Sequence, residues 1–371
     1  MRLFIEADSI VQSEMSGIGH MTLELIRMLD ARLADDKSLQ VILIIPYGKK
    51  SFLNSYEFQH VRVRCLPPPH KVVNYILARS RFPIPVSLWF GRGVYVFPNY
   101  KNWLVPFSKS ITWVYDVAFR KYPETVRSRN RVFLQNNLGR WLHRTDKVLT
   151  ISKVSAREIG HYYPDCRRKL VVVYPGIDPT MYYPRPKSEV ALARKRYALP
   201  EHYFLFVGNI EPRKNLGVLL EAYKAYVDTT KRPKAFVLVS DGGWNNDAVL
   251  SRAAALQAAG YVIIRLQHVP DKDLPVLYSG ATALLLPALH EGFGLPPIQA
   301  LASGTPVIVS DIPIFKEVLP QQHTTFVGVD NVADMARALH EAQGKHFAGY
   351  AAFTWERTVD SLLQASEKLY T

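Results

Sequence analysis

Short apolar runs alternate with longer amphipathic segments along the whole chain. In the first half the runs are "LFIEA", "QVILIIP", "GVYVFP", "SITWVYD", "KVLTIS" and "LVVVYPG"; in the second they are "YFLFVGN", "AFVLVS", "YVIIRL", "ATALLLP", "TPVIVSD" and "TTFVGV". Such runs predict strands buried on both faces, and the segments between them, such as "HMTLELIRMLDARLA", predict helices. The regular alternation of strand and helix predicts an α/β fold with parallel sheets.

The alternation occurs twice, and 371 residues are enough for two domains, each with its own core. We therefore predict two Rossmann-like domains, over residues 1–180 and 181–354. The segment 176–202, rich in proline, tyrosine and charge, is the predicted linker. Ligands of such folds bind at the carboxyl ends of the strands, so we expect the binding site in a cleft between the two domains.

One carboxylate, Glu291, lies in a loop of glycines and prolines within "ATALLLPALHEGFGLPPIQALASGTPVIVSD". The pattern predicts strands over Ala281–Leu286 and Pro306–Ser310, and between them a helix that begins at Pro296 and ends before Gly304. In such a βαβ unit the loop and the helix N-terminus lie at the carboxyl end of the sheet, where free N–H groups attract anions. Glu291 is therefore an unexpected charge at an anion site and a candidate to line the ligand cleft, and as a loop residue it is expected to contribute little to stability.

The stretch "FVGNIEPRKNLGVLLEAY" places Arg213 and Lys214 in a loop between a strand and a helix. Asn215 is the expected N-cap of that helix. A guanidinium and an ammonium group side by side suit a diphosphate, because both are cations that donate hydrogen bonds. The alternative, two solvated side chains on a surface loop, stays open at this point.

The stretch "MSGIGHMTLEL" follows the first predicted strand and contains Gly17 and Gly19. Both glycines allow a ligand to approach the backbone closely, and the following helix offers its N-terminus to a phosphate or a sugar. Thr22 stands where a dinucleotide fingerprint has its third glycine, which argues against a nicotinamide or flavin oxidoreductase. A plain tight turn is the alternative interpretation of the two glycines.

Composition narrows the class of protein. Apolar residues make up 48% and charged residues 21% of the chain, as in a soluble globular protein. Cys65 and Cys166 are too few for a disulfide framework, so a reducing compartment is expected. Glu6 and Asp8 interrupt the first apolar run too early for a signal peptide, and no run approaches the ~20 apolar residues that cross a bilayer. We therefore expect a cytoplasmic protein, or one at the cytoplasmic face of a membrane.

Nearly all of the net charge of +14 comes from the first half: residues 1–180 hold 27 Lys and Arg against 14 Asp and Glu, and residues 181–371 hold 19 against 18. Between Phe58 and Tyr115 there is no acidic residue. Basic and aromatic residues are interleaved there: Arg62, Arg64, Lys71, Arg79, Arg81, Arg92, Lys101 and Lys109, with Trp89, Phe90, Tyr95, Phe97, Tyr100, Trp103 and Phe107. This combination suits an anionic membrane surface or a phosphate-bearing lipid; a solvated basic face over core aromatics is the alternative.

Several stretches together resemble the retaining nucleotide-sugar glycosyltransferases of family 4, which have the two-domain GT-B fold. They are "GNIEPRKNL", "HEGFGLPPIQALASGTPVIVSD", "VVVYPGID", "VYDVAFRKYPE", "TISKVSAREI" and "HVPDKDLPVLYSGA", and they cover most of the chain. Within this family the sequence is most similar to bacterial mannosyltransferases that build surface polysaccharides such as O-antigen and capsule. The resemblance implies two Rossmann-like domains whose parallel sheets face each other across a cleft, with a C-terminal helix at about 355–371 that packs back on the first domain.

The resemblance also implies roles for residues at matching positions in the second domain. Glu291 would contact hydroxyl groups of the donor sugar. The backbone N–H groups of Phe293, Gly294 and Leu295 would face the diphosphate.

Further roles follow in the same way. Arg213 and Lys214 would neutralise the diphosphate as it leaves. Gly17 and Gly19 would lie near the same phosphates, and Asp116 would be the acidic member of the family's His-Asp pair.

Two positions depart from the family pattern. Tyr115 precedes Asp116 where many relatives have a histidine that contacts the donor sugar, which bears on the choice of sugar or acceptor. Gln299 stands where the pattern has a second glutamate that holds the nucleotide ribose, and it offers one accepting oxygen instead of two. No metal is expected, because "DKD" at 271–273 reads as a helix start and the histidines lack metal-ligand spacing.

The implied function is that of a retaining, metal-independent hexosyltransferase. It would move mannose from GDP-mannose to a hydroxyl group of a growing, lipid-linked bacterial surface glycan, with no cofactor beyond the donor. The alternatives are a GT-B protein of weakened catalysis that binds a sugar or nucleotide, and a transferase for another GDP- or UDP-sugar such as GDP-rhamnose. Binding of nucleic acid would explain the basic half but gives the EGFGLP loop no purpose, so no nucleic-acid partner is expected.

Overall fold

The computed structural model of the chain describes residues 1–12, 15–79 and 86–370, which form two compact units. The N-terminal unit comprises Met1–Pro123, Ser128–Gly176 and Phe353–Thr371, and the C-terminal unit comprises Glu124–Arg127 and Ile177–Ala352. Each unit contains one sheet whose paired strands are parallel. The prediction of two parallel α/β units is confirmed.

The N-terminal unit is built on a seven-stranded sheet with the order β3-β2-β1-β4-β5-β6-β7. Its strands are β1 Arg2–Glu6, β2 Gln40–Pro46, β3 Arg62–Leu66, β4 Val94–Phe97, β5 Lys109–Trp113, β6 Lys147–Thr150 and β7 Leu170–Val172. Its helices are α1 Gly17–Asp35, α2 His70–Arg79, α3 Val86–Phe90, α4 Ala118–Lys121, α5 Ser128–Arg144, α6 Lys153–Tyr162 and, at the C-terminal end of the chain, α14 Trp355–Tyr370.

The C-terminal unit is built on a six-stranded sheet with the order β10-β9-β8-β11-β12-β13. Its strands are β8 Tyr203–Val207, β9 Ala235–Val239, β10 Ile263–Leu266, β11 Ala283–Leu286, β12 Val307–Ser310 and β13 Thr324–Val327. Its helices are α7 Lys187–Arg196, α8 Leu216–Thr229, α9 Asp247–Ala258, α10 Leu274–Gly280, α11 Leu295–Ala302, α12 Pro313–Val318 and α13 Val332–Glu341.

Every strand predicted from an apolar run is present, but the apolar pattern does not predict β3. This strand lies at the edge of the first sheet, and Arg62 and Arg64 are exposed on it. An edge strand needs apolar side chains on one face at most, so its sequence "RVRCL" lacks the signal of a buried strand.

Two local predictions differ from the structure. The predicted linker contains α7, whose Val190 and Ala193 are buried and which packs against α10. Asn215 does stand at the N-cap of α8, but its side chain makes no capping bond and its φ is +55°. The Asn215 amide instead donates to Asp330 Oδ1 at 2.8 Å, so a contact distant in sequence replaces the local cap.

Candidate active site

The loops after β8 and β11 meet at the point where the strand order of the second sheet reverses. These two strands are neighbours, and the sheet continues through β9 on one side and β12 on the other. Both loops leave the carboxyl ends of their strands, which is where open α/β sheets bind ligands. The Leu289 N–H donates to the Arg213 carbonyl at 2.9 Å, so one backbone bond joins the two loops.

The Glu291 carboxylate is 6% exposed and lies between two cations. Its Oε2 accepts from Arg213 Nη1 at 3.0 Å, and its Oε1 accepts from Lys214 Nζ. Arg213 also donates to the Glu211 carboxylate at 2.7 Å and to the His290 carbonyl at 3.1 Å. Lys214 is buried as well, so the two cations are not solvated side chains of a surface loop.

The charges around Glu291 keep it ionised. Burial raises the pKa of the Glu291 carboxyl, but the charges of Arg213 and Lys214 outweigh burial and bring the pKa down to about 2. The negative charges of Glu211 and Glu291 balance the positive charges of Arg213 and Lys214. An anionic ligand would therefore meet donors that are already held in position, and would have to share Arg213 with its carboxylate partners.

The EGFGLP loop turns into α11 through a backbone that requires glycine. Gly294 stands at the N-cap with φ +88°, and the Phe315 ring lies 2.7 Å from where a Cβ atom would be. Leu295 is the first helical residue, whereas the prolines that follow it carry no N–H. The N–H of Leu295 is thus a donor at the helix N-terminus, and Phe293 just before the turn is buried.

Gln299 is in contact with a neighbouring helix. The hydroxyl of Tyr278, on α10, donates to Gln299 Oε1 at 3.1 Å. Tyr278 is fully buried, which raises the pKa of its hydroxyl well above the usual value and keeps it a donor. The oxygen of Gln299 that could accept a ligand hydroxyl therefore already accepts one from the protein. The sequence gives no signal of this bond, because the two residues belong to different helices.

In the N-terminal unit, the two glycines after β1 lie in the first turn of α1. The helix begins at Gly17, and the Ser16 hydroxyl accepts from the Gly19 N–H at 3.3 Å. A Cβ atom on Gly19 would lie 2.7 Å from the Ser9 carbonyl oxygen, so this glycine is required by packing. Among the residues that the structure describes, a Cβ atom on Gly17 would meet nothing within 4 Å, so they leave space at Gly17.

Asp116 lies between β5 and the short helix α4. Its Oδ1 accepts from the Ala118 N–H at 3.0 Å, and its own N–H donates to the Tyr100 hydroxyl at 3.3 Å. Tyr115, at the position of the expected histidine, is buried, and its ring stacks on Trp113. The described contacts of Asp116 are thus those of a residue that shapes the loop after β5.

A buried ion pair that the sequence does not predict lies at the end of β1. Glu6 is 4% exposed, and its Oε1 lies 3.5 Å from Lys101 Nζ. Lys101 Nζ is also 3.7 Å from Asp8 Oδ2. Burial raises the pKa of the Glu6 carboxyl, and the Lys101 charge opposes that effect. Lys101 is one of the basic residues of the acid-free stretch, by which we mean the segment from Phe58 to Tyr115 without an acidic residue. It therefore pairs with carboxylates instead of facing a partner.

The described residues contain neither a cluster of metal ligands nor a membrane span. Within residues 1–12, 15–79 and 86–370, no group of three or more His, Cys, Asp or Glu side chains could hold a metal ion. Across the described part of the chain, no helix combines the length and the apolar character needed to cross a bilayer.

Comparison with known proteins identifies the C-terminal unit most clearly. Residues 191–343 match the family model of glycosyl transferases group 1. The chain is 30% identical over 213 residues to O-antigen chain mannosyltransferase B of Escherichia coli, which covers 57% of this chain and 55% of that protein. It is 31% identical over 206 residues to O-antigen chain mannosyltransferase RfbU of Salmonella typhimurium, covering 56% and 53%. The chain thus spans about half the length of the curated relatives it matches.

Solved structures extend the similarity of fold to the whole chain. Sucrose-phosphate synthase of Thermosynechococcus elongatus has a TM-score of 0.70 at 17% identity and covers 100% of this chain and 98% of that one. HepE of Anabaena, in complex with UDP and glucose, has a TM-score of 0.68 at 13% identity, covering 100% and 95%. WaaG, a glycosyltransferase involved in lipopolysaccharide biosynthesis, has a TM-score of 0.67 at 13% identity, also covering 100% and 95%. The chain therefore has the GT-B fold of two Rossmann-like units and carries a glycosyl transferases group 1 domain over residues 191–343.

Proposed function

We propose that the protein transfers mannose from GDP-mannose to a hydroxyl group of a growing bacterial surface glycan. The observation that carries this proposal is the buried Glu291 between Arg213 and Lys214, at the reversal point of the second sheet. Paired cations suit a diphosphate, and an ionised carboxylate beside them suits sugar hydroxyls. The choice of mannose rests on the relatives, which are named O-antigen mannosyltransferases.

In the proposed reaction the bond between the anomeric carbon and the diphosphate oxygen breaks. The acceptor oxygen forms the new bond on the same face of the sugar, so the configuration is retained. The proton of the acceptor hydroxyl passes to the leaving diphosphate. Arg213 and Lys214 stabilise the charge that develops on this group, and donors already held in place are the most effective stabilisers of such charge.

The remaining residues have binding roles in this proposal. Glu291 accepts hydrogen bonds from donor-sugar hydroxyls, and the N–H groups of Phe293, Gly294 and Leu295 bind the diphosphate. No metal or other cofactor takes part in the proposed step.

In the N-terminal unit, Gly17, Gly19 and Asp116 are the proposed ligand-contacting positions. The open surroundings of Gly17 support a ligand contact there. Gly19 and Asp116 also serve local structure, through the packing of Gly19 against Ser9 and the bond from Ala118 to Asp116.

The acceptor is proposed to be lipid-linked, which would bring the protein to the cytoplasmic face of a membrane. Relatives named for O-antigen chain synthesis support this part of the proposal. The excess of basic residues in the first half supports it as well, because anionic lipids attract positive charge.

A second candidate is a nucleotide- or sugar-binding protein with weakened catalysis. The bond from Tyr278 to Gln299 favours it, because one of the two lone pairs on the accepting oxygen at the expected ribose position is already in use. A UDP-sugar or another GDP-sugar such as GDP-rhamnose is the alternative donor, and HepE is a fold relative described in complex with UDP-glucose.

A thermal-shift panel of GDP, UDP, ADP and their sugars tests the proposal. We expect GDP and GDP-mannose to raise the melting temperature most, since a ligand stabilises the state that binds it. Transfer of mannose from GDP-mannose to a glycan acceptor should then be measurable. Nucleotide binding without any transfer would favour the second candidate, and the absence of a shift with every nucleotide would reject both.

A further inference from the structure

Six of the exposed apolar side chains of the N-terminal unit lie on three segments that are close together. Leu88 and Trp89 on α3 are 66% and 56% exposed, and Phe107 in the loop between β4 and β5 is 71% exposed. Val72, Tyr75 and Ile76 are exposed on α2, at the spacing of one helix face, whereas the following residues Leu77 and Ala78 are buried. We refer to Val72, Tyr75, Ile76, Leu88, Trp89 and Phe107 as the apolar surface.

The loop between β4 and β5 holds the three segments next to each other. Trp103, in this loop, donates from its indole N–H to Asn74 Oδ1 of α2 at 3.3 Å. The Ser87 hydroxyl of α3 donates to the Pro106 carbonyl, one residue before Phe107. The loop therefore contacts both helices, and the apolar surface belongs to one region of the unit.

The aromatic residues of the acid-free stretch fall into two groups. Tyr95, Phe97 and Trp103 are buried, as the alternative of core aromatics predicts. Trp89 and Phe107 are instead more than half exposed. The sequence alone cannot separate the two groups, because all of these residues are interleaved with basic ones in the same way.

Positive charge accompanies the exposed group. The Arg92 guanidinium lies over the Phe107 ring, 5.6 Å from its centroid. Arg62 and Arg64 are exposed on the edge strand β3, against which α2 packs. Arg81 lies outside the described residues, and the side chains of Lys71 and Arg79 are not described either. The region has no acidic residue of its own from Phe58 to Tyr115, so an anionic partner would meet no opposing side-chain charge from this stretch.

We propose that the apolar surface inserts into the interface of a bilayer that contains anionic lipid. Large apolar side chains exposed together on neighbouring segments, unlike single scattered ones, are typical of a binding surface. Tryptophan and tyrosine favour the interface of a bilayer, and basic side chains favour its anionic headgroups. A nucleic acid would use the charges but gains little from Leu88 or Ile76, so a lipid surface fits the whole set better.

This inference deepens the membrane part of the proposed function and does not depend on the chemistry of the donor. Trp89 provides a direct probe because it is the most exposed of the six tryptophans: Trp103, Trp113, Trp141 and Trp355 are buried, and Trp244, in the C-terminal unit, is half-buried. Vesicles of phosphatidylcholine with and without phosphatidylglycerol, the latter also with brominated acyl chains, would be mixed with the full chain. We expect binding to phosphatidylglycerol vesicles at low salt, quenching of Trp89 emission by the brominated lipid, and release as salt screens the charges.

Two exposed residues can be changed without disturbing the core. The double variant Leu88→Ser with Phe107→Ser should bind these vesicles about ten-fold less or weaker still, since each pair of CH₂ groups withdrawn from lipid costs roughly that factor. The matched control is Leu192→Ser with Val262→Ser, two exposed apolar residues of the C-terminal unit, which should bind as the wild type does. Trp89→Phe should retain binding but lose most of the quenching.

Several outcomes would overturn the proposal. These are binding that ignores lipid charge, equal loss in both double variants, and vesicle binding that survives the change of Leu88 and Phe107. A double variant that turns a dimer into a monomer, with no vesicle binding by the wild type, would identify the surface as a contact between copies of the chain. Calorimetry with GDP on the same variants separates this test from that of the proposed function, because nucleotide binding should be unchanged.

Discussion

Lys214 and Glu291 are 77 residues apart in the chain, yet they form an ion pair in which each side chain is less than a tenth exposed. Withdrawing two charges from water is costly, so such a pair adds little to stability compared with an apolar pair of the same size. The ion pair instead orders the site, because each side chain fixes the position of the other. Arg213 fixes Glu291 further by donating to its second carboxylate oxygen. The two loops of the candidate active site are thus held together by charge as well as by the backbone bond.

Replacing Glu291 tests both its proposed role and its structural one. Glu291→Ala leaves Lys214 buried without its carboxylate, so the free energy of unfolding should fall by about 3–5 kcal/mol. The sequence-based expectation that this loop residue contributes little to stability therefore does not agree with its surroundings. Glu291→Gln keeps the size and should cost less stability while still slowing transfer by about 10²-fold or more.

Denaturant unfolding and steady-state kinetics on both variants check these expectations. Asp311→Ala is a suitable control, because Asp311 pairs with Lys316 at the surface of the same unit. Unchanged turnover of Glu291→Gln at a saturating donor concentration would contradict the proposed contact with the donor sugar.

The depressed pKa of Glu291 predicts a specific dependence of stability on pH. The pKa is about 2 in the folded protein, against an ordinary value of 4.5. Since the folded-state value is the lower one, the contribution is fully present above about pH 4.5 and is lost as the pH falls towards about 2. The difference between the two values corresponds to about 3 kcal/mol.

The measurement is the free energy of unfolding at a series of acidic pH values, for the wild type and for Glu291→Gln. The advantage of the wild type over the variant should shrink steadily across that window. An advantage that does not change with pH would mean that folding does not shift the pKa of Glu291, and one that grows as the pH falls would mean that the carboxyl is protonated in the folded state.

Replacing Arg213 or Lys214 with alanine should weaken nucleoside diphosphate binding and slow transfer. Charge-assisted hydrogen bonds are worth roughly 1.5–3 kcal/mol each, which is about 10- to 100-fold in affinity. Lys214→Ala should also lower the free energy of unfolding, because Glu291 then loses a buried partner. Arg213→Ala should lower it less, because the Arg213 side chain is 19% exposed. Calorimetry with GDP measures the affinity.

A lysine on the surface of the same unit provides the matched control. Lys224 pairs with Asp228 on the exposed side of α8, and Lys224→Ala should leave GDP affinity unchanged. Wild-type affinity in both the Arg213 and the Lys214 variants would show that these cations serve only to hold Glu291 in place.

The sequence predicts the fold well and the contacts inside the site poorly, and the reason is physical. A buried strand such as β11 can be predicted from a run of apolar residues, because both of its faces are covered in the folded protein. The order of strand, loop and helix around Glu291 then predicts that this residue lies near the carboxyl end of the sheet, and no contact distant in sequence is needed for that prediction. The pairing of Glu6 with Lys101 and the bond from Asn215 to Asp330 depend on which distant loops meet, so no local pattern reveals them.

The bond from Tyr278 to Gln299 leads to a prediction about the position where the family pattern has a glutamate. In the wild type Gln299 Oε1 accepts from the Tyr278 hydroxyl, so a ribose hydroxyl would have to share that single oxygen. In Gln299→Glu one oxygen could accept from Tyr278 and the other from the ribose, and charge-assisted bonds are roughly twice as strong as neutral ones. The helix N-terminus favours the negative charge by about 0.3–1 kcal/mol, while repulsion from the diphosphate opposes it.

We expect the ribose contact to dominate, so Gln299→Glu should bind GDP more tightly than the wild type, or at worst equally well. Calorimetry with GDP and with its 2′,3′-dideoxy analogue checks the cause, because a gain that comes from the ribose hydroxyls must vanish with the analogue. Tyr278→Phe in the wild-type background should move GDP affinity in the same direction, since it releases Gln299 Oε1 to accept from the ligand. A large loss of GDP binding in Gln299→Glu would show that the amide donates to the ligand, and that glutamine is the residue this site requires.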